Sequence, residues 1–190
     1  MPKITNVEFL EFSANHHNAS RNWLVIKLNT DNPKLFGLGD ASAMEDEDEV
    51  KSIISSWTEK YLSGKDPLES EVLWTNLYHD PHARGGRLAT TSLSGIDIAL
   101  WDLKGKILKQ PVWRLLGGSF REKIRVYANG WYTNPGAPEL NAEEAKKVVD
   151  MGYTALKFDP FGQNNYYKIS LKELDIAEKR VESVRKSVGD

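Results

Sequence analysis

Cysteine is absent from the 190 residues, which excludes a disulfide framework and every thiolate metal site. Excess charge of one sign is absent too: 25 Lys and Arg face 27 Asp and Glu, a formal net charge of −2 with no basic block. A nucleic-acid partner would call for a clustered positive face, so none is expected. Long apolar runs are missing. The stretch "WLVI" at 23–26 is far short of the roughly 20 residues a membrane helix needs. The N-terminal "MPKITNVEFLEF" alternates like a strand and lacks the apolar block of a signal peptide. Neither GxGxxG nor GxxxxGK[ST] occurs, so the glycine pairs form no phosphate loop. These absences lead us to expect a soluble, cytoplasmic protein without nucleic-acid or membrane partners.

What is present falls into two patterns. Residues 4–12, 22–30 and 35–42 read as an antiparallel meander. In the second of these, Leu24, Ile26 and Leu28 alternate with Trp23, Val25 and Lys27. The polar stretch "SANHHNAS" at 13–20 reads as a loop, and Gly37 and Gly39 as a loosening of the third strand. Helices follow. The acids "EDEDE" at 45–49 suit the start of a helix running to about Leu62. The stretch "DPLE" at 66–69 resembles a capping box with Asp66 as N-cap. Leu93, Ile96, Leu100, Leu103 and Ile107 form one stripe on a helix over 87–108. From residue 120 the order becomes strand (123–131), helix (opened by Asn141 and Glu144), strand ("TALKFDPF"), helix (with Leu174, Ala177, Val181, Val184 and Val188 on one stripe). That is the repeating unit of a parallel α/β sheet.

Within "YTALKFDPFG" (153–162) a lysine and an aspartate interrupt an otherwise core-like strand. Side chains alternate along a strand, so Lys157 and Asp159 share one face and Leu156 and Phe158 the other. As bare residues, such a pair usually faces solvent.

The segment "SGIDIALWDLKGKILKQPVWRLLGG" (94–118), placed between an α+β region and βα units, resembles the mandelate racemase/muconate lactonizing enzyme branch of the enolase superfamily. Gly95, Asp97, Trp101, Asp102, Lys104, Lys106, Gly117 and Gly118 carry the pattern. The resemblance implies an α+β N-terminal capping domain over 1–118, then the first two βα units of a (β/α)8 barrel over 124–190. Such a barrel needs about 250 residues, so the sequence reads as the truncated N-terminal half of a family member. Relatives often carry Lys-X-Lys where this sequence has Lys157-Phe158-Asp159. The resemblance therefore gives Lys157 a catalytic role at the substrate carboxylate and Asp159 one toward substrate hydroxyls. The missing second lysine favours a Mg²⁺-dependent sugar-acid dehydratase over a racemase, epimerase or cycloisomerase. A non-catalytic capping module is the alternative from another class.

The same resemblance places the Mg²⁺ ligands on later strands, so no metal ligand is expected here and the chain alone is expected to be catalytically incomplete. It also implies a small sugar-acid substrate and a homo-oligomer at full length. His16 and His17 belong to a stretch that in this family helps select substrate, although two solvated loop histidines would look the same. Arg84 either reaches an anionic substrate or caps its loop. Asn129 and Trp131 are candidate pocket walls, and an aromatic there equally serves packing. His79 and His82 have metal-like spacing, but Pro81 between them breaks any helix.

Overall fold

The computed structural model describes residues 1–16, 19–43, 45–80, 85–133, 136–162 and 168–189, with only the backbone of 14–16 and 19–21. The chain divides into two compact units, Met1–Phe120 and Arg121–Asp190.

The first unit packs helices on one face of an antiparallel sheet of order β1-β2-β3: β1 (Ile4–His16), β2 (Ala19–Thr30) and β3 (Phe36–Asp40). The expected loop at 13–20 is corrected, because the β1–β2 ladder continues to the pair His16↔Ala19. Backbone groups pair whatever the side chains, and the Ser13 hydroxyl adds a 3.0 Å bond to Asn22 Oδ1 across the strands. Leu24, Ile26 and Leu28 are fully buried, as their alternation predicts.

Helix α3 (Gly86–Leu108) lies against β3 at backbone contact distance. A Cβ at Gly37 would stand 2.0 Å from Ala99 O, and one at Gly39 would stand 2.0 Å from Gly95 O. The two strand glycines are therefore close-approach positions and not loosening ones. Asp102 then reaches over the strand: its Oδ2 accepts the Leu38 N–H at 2.8 Å and Lys106 Nζ at 2.6 Å. Lys106 also donates to Phe36 O at 2.8 Å and lies 4.5 Å from the Phe36 ring centroid. The "WDLKGK" part of the signature thus fastens α3 to β3.

Two helix boundaries differ from expectation. Helix α1 (Glu47–Trp57) is α-helical only to Trp57, and Thr58–Leu62 forms a π-helical turn. There the Thr58 hydroxyl donates to Ile54 O at 2.7 Å. Asp66 is not an N-cap. Its Oδ1 accepts the Leu68 N–H at 2.9 Å, closing a turn two residues on, and α2 (Ser70–Tyr78) begins after Glu69. The short α4 (Val112–Leu115) follows Pro111.

The second unit contains α5 (Pro138–Asp150) and α6 (Leu171–Val188). The two expected strands reduce to one parallel bridge, Ala128↔Leu156. Ala128 N–H donates to Ala155 O and Lys157 N–H to Ala128 O, both at 2.9 Å. On either side, side chains take the carbonyls a ladder would use: Arg125 Nη2 donates to Thr154 O and Trp131 Nε1 to Lys157 O, each at 2.9 Å. Among the described residues, the two expected βα units therefore appear as two helices and a single parallel pairing, without the expected strands. Helix α5 begins at Pro138, three residues before the expected Asn141, because proline is preorganised for the first turn. Asn141 is buried instead and donates to Thr133 O at 3.3 Å. Helix α6 opens with a reciprocal capping box between Ser170 and Glu173. Among the described residues, no helix is long and apolar enough to cross a membrane.

Candidate functional site

The bridge in the second unit positions the charged pair read from the sequence. Lys157 is held through its backbone, with its N–H on Ala128 and its carbonyl under the Trp131 indole, and its side chain is exposed. Trp131, Tyr132 and Phe158 form an aromatic cluster beside it, with centroid separations of 5.5, 5.5 and 5.9 Å. Asp159 is half-buried, and its Oδ1 accepts the Phe161 N–H at 3.0 Å, a local turn that fixes the carboxylate. Leu156 and Phe158 line a hollow with Val181, Val184 and Val188 of α6, and Ala155, which alternation places on the Lys157 face, lines it too.

Asn129 and Trp131 line a different hollow, of about 650 Å³, with Glu144 and Lys147 of α5 and Met151 just after it. Trp131 is thus brought to the Lys157 backbone and Asn129 to the α5 side. His16 is placed by its backbone at the end of the β1–β2 ladder, while His17, His82 and Arg84 lie outside the described residues. His79 makes an edge-on contact with Tyr78 at 5.2 Å. Among the described residues, no three of His, Asp and Glu gather to hold a metal ion, so the donor set for Mg²⁺ is not assembled by them.

Arg180 is a positioning residue that no motif in the sequence marks. Its Nε donates to Gly136 O at 2.7 Å and its Nη1 to Pro160 O at 2.6 Å, tying α6 to both loops of the unit. The available signal was a cation beside Val181 on the stripe that runs from Ala177 to Val184.

Residues 11–117 match the model of the family "Mandelate racemase / muconate lactonizing enzyme, N-terminal domain". With more than half of its length so matched, the chain belongs to the mandelate racemase/muconate lactonizing enzyme family, and its first unit is the capping domain of that family. Among curated relatives, the D-gluconate dehydratase of Thermoproteus tenax is 44% identical over 134 residues, 70% of this chain and 27% of that protein. A D-galactonate dehydratase family member of Paenibacillus sp. (strain JDR-2) is 36% identical over 157 residues, 83% of this chain and 37% of that protein. Among solved structures, a mandelate racemase/muconate lactonizing enzyme from Sulfitobacter sp. superposes with a TM-score of 0.86 at 27% identity, covering 100% of this chain and 51% of that one. A member of the enolase superfamily from Salmonella Typhimurium gives 0.86 at 28% identity, covering 100% and 53%. The chain therefore spans about half the length of the solved structures it matches.

Proposed function

We propose that this chain is the N-terminal part of a sugar-acid dehydratase that acts on an aldonic acid such as D-gluconate or D-galactonate. The observation that carries this reading is the 44% identity to a protein named D-gluconate dehydratase over 134 residues. The reaction removes the proton α to a carboxylate and expels the β-hydroxyl as water. The enol so formed tautomerises to a 2-keto-3-deoxy acid, taking its new C3 proton from solvent. In this reading the exposed Lys157 ammonium neutralises the substrate carboxylate, which lowers the cost of the charge that deprotonation adds. The Asp159 carboxylate, fixed through one oxygen, accepts from a substrate hydroxyl through the other. His16, His17, Arg84, Asn129 and Trp131 are proposed as substrate contacts. Mg²⁺ would supply electrostatic stabilisation of the charge that deprotonation develops, and no three His, Asp or Glu gather to hold it among the described residues.

The test uses the protein encoded by the whole reading frame, with D-gluconate and with D-galactonate, in D₂O containing Mg²⁺. Loss of one water, with one deuterium retained at C3, is the expected product. Exchange at C2 without loss of water would point to a racemase or epimerase and refute the dehydratase. No reaction with either acid would leave a non-catalytic capping module. In an active protein, Lys157→Met should lower turnover at least about a hundredfold, the scale of losing one preorganised electrostatic contact. Near-normal turnover would return Lys157 to the solvated charges.

A further inference from the structure

Asn129 is the one asparagine of the sequence that glycine follows. On one side of this pair, Ala128 donates to Ala155 O and accepts from the Lys157 N–H, both at 2.9 Å. On the other, Trp131 donates its indole Nε1 to Lys157 O at 2.9 Å. Asn129 and Gly130 therefore span two anchors on the same partner segment. Asn129 is exposed, lies outside helix and strand, and lines the hollow it shares with Glu144 and Lys147. Gly130 has a φ of 68°, in the left-handed region that glycine adopts without steric cost.

Exposure of an Asn-Gly pair opens a reaction between the side chain and the main chain. The Gly130 nitrogen, deprotonated by hydroxide, attacks Asn129 Cγ. The new C–N bond closes a succinimide ring, and the side-chain nitrogen leaves as ammonia. No side chain on Gly130 shields the attacking nitrogen, and its backbone turns easily into the geometry of attack. Water then opens the ring at either carbonyl. Opening at Cγ gives aspartate in an unaltered main chain. Opening at the Cα carbonyl gives isoaspartate, whose main chain runs through Cβ and Cγ to Gly130. In sum one water replaces one ammonia, and no oxidant or reductant takes part.

The isoaspartyl route adds one atom to the main chain between the anchors, about 1.5 Å of extra length. Ala128 is held by two backbone bonds and Trp131 by a single side-chain bond, so the indole gives way first. We propose that Asn129–Gly130 is a self-modification site, which deamidates in the folded chain and whose isoaspartyl product frees Trp131 from the Lys157 carbonyl. This chemistry is independent of the dehydratase reading.

The intact chain is aged in mildly alkaline buffer and mapped by tryptic peptides, with isoaspartyl-specific methyl transfer as the label. Residues 126–146 form one tryptic peptide with its own controls. Asn134 precedes a proline, whose nitrogen has no proton to lose, and Asn141 is buried in α5. Isoaspartate should form at Asn129 at least about tenfold faster than at Asn141, where cyclisation must wait for the helix to open. Asn129→Gln, which would close a larger ring, should slow the reaction at 129 to the Asn141 level. The isoaspartyl form, separated by its added charge, is then compared with Asn129→Asp, which has that charge on a normal main chain. The Trp131 indole proton, assigned in the NMR spectrum by its loss in Trp131→Phe, should exchange faster in the isoaspartyl form and stay as in the parent in Asn129→Asp. No excess of isoaspartate at 129 over 141, or an indole proton equally protected in the two forms, would overturn the proposal.

Discussion

In the first unit Leu24, Ile26, Leu28, Ile54, Ile96, Leu100 and Leu103 are all fully shielded, whereas the buried apolar residues of the second are Ala128, Ala145, Val148, Ala177 and Val184. Large apolar side chains in the second unit stand in solvent instead: Ile124 is 78% exposed, Met151 75% and Leu171 86%. The backbone tells the same story, with two antiparallel ladders in one unit and, among the described residues, a single parallel bridge in the other. Ordering each residue costs about 1–2 kcal/mol of backbone entropy, which burial must offset. The first unit has a core that can do so, and the second offers mainly alanine and valine. An apolar stripe identifies the side of an element that seeks cover without supplying the cover.

The largest expected effects fall in the first unit. Leu100→Ala should cost about 2–5 kcal/mol in denaturant unfolding, because it opens a cavity in a fully buried layer. Leu171→Ala, in the second unit, should stay within about 0.5 kcal/mol. Comparable losses at the two sites would break the contrast. Next comes Gly39→Ala, for which we expect a loss of about 1–3 kcal/mol from overpacking. The added methyl would meet the Gly95 carbonyl, which is backbone and cannot swing aside. A neutral outcome would mean that α3 and β3 are not in backbone contact.

Smaller effects sharpen the comparison. Ser170→Ala removes the capping box of α6 and should cost about 1 kcal/mol. Because that helix carries Arg180, the loss should be accompanied by faster exchange throughout the second unit and none in the first.

Asp97 gives the smallest effect, and its sign depends on pH. In the folded chain its carboxyl holds a proton more tightly than in the unfolded chain, so the unfolded state binds fewer protons between the two pKa values. Stability therefore falls as pH rises from the ordinary carboxylate range through the raised value. Asp97→Asn should raise the melting temperature at neutral pH, and the gain should vanish in acid where both states are protonated. Glu8 and Glu173 run the other way. The Lys27 ammonium bonded to Glu8, and the Ser170 backbone and hydroxyl bonded to Glu173, hold these carboxyls below the ordinary range. Their support, present above that range, is lost as the pH falls through it.

Much of this fold could be read from periodicity. The alternation in β2 and the stripe on α3 report burial on one side, and both elements are buried as that pattern requires. Local chemistry was more ambiguous. Asp66 has the side chain of an N-cap and bonds the Leu68 N–H as a cap can, but the turn closed by the Glu69 N–H on Asp66 O is not continued, and α2 starts only after Glu69. Gly37 and Gly39 carry no signal that separates a loose strand from one pressed against a helix, since the difference lies in Ala99 and Gly95 far along the chain. Residues 13–20 are polar, and a hairpin ladder that needs only backbone groups is invisible to hydropathy. The strand at 123–131 has strand-like residues with little to pair against, so only Ala128 bridges. For the candidate site, alternation did not separate the faces, because Ala155, which shares the face of Lys157, lines the same hollow against α6 as Leu156 and Phe158. The hold of Trp131 on the Lys157 carbonyl was not legible, because an indole donor 26 residues away leaves no local pattern.

Native-state hydrogen exchange on the intact chain tests the central contrast most directly. Amides at 24–28 in the central strand and 96–103 in α3 should be the slowest in the molecule. Those of Ala128 and Lys157, whose bonds form an isolated bridge, should exchange far faster, with α5 and α6 between. Equal protection of Ala128, Lys157 and the β2 amides would contradict the account, because it would mean that the second unit has a cooperative core of its own.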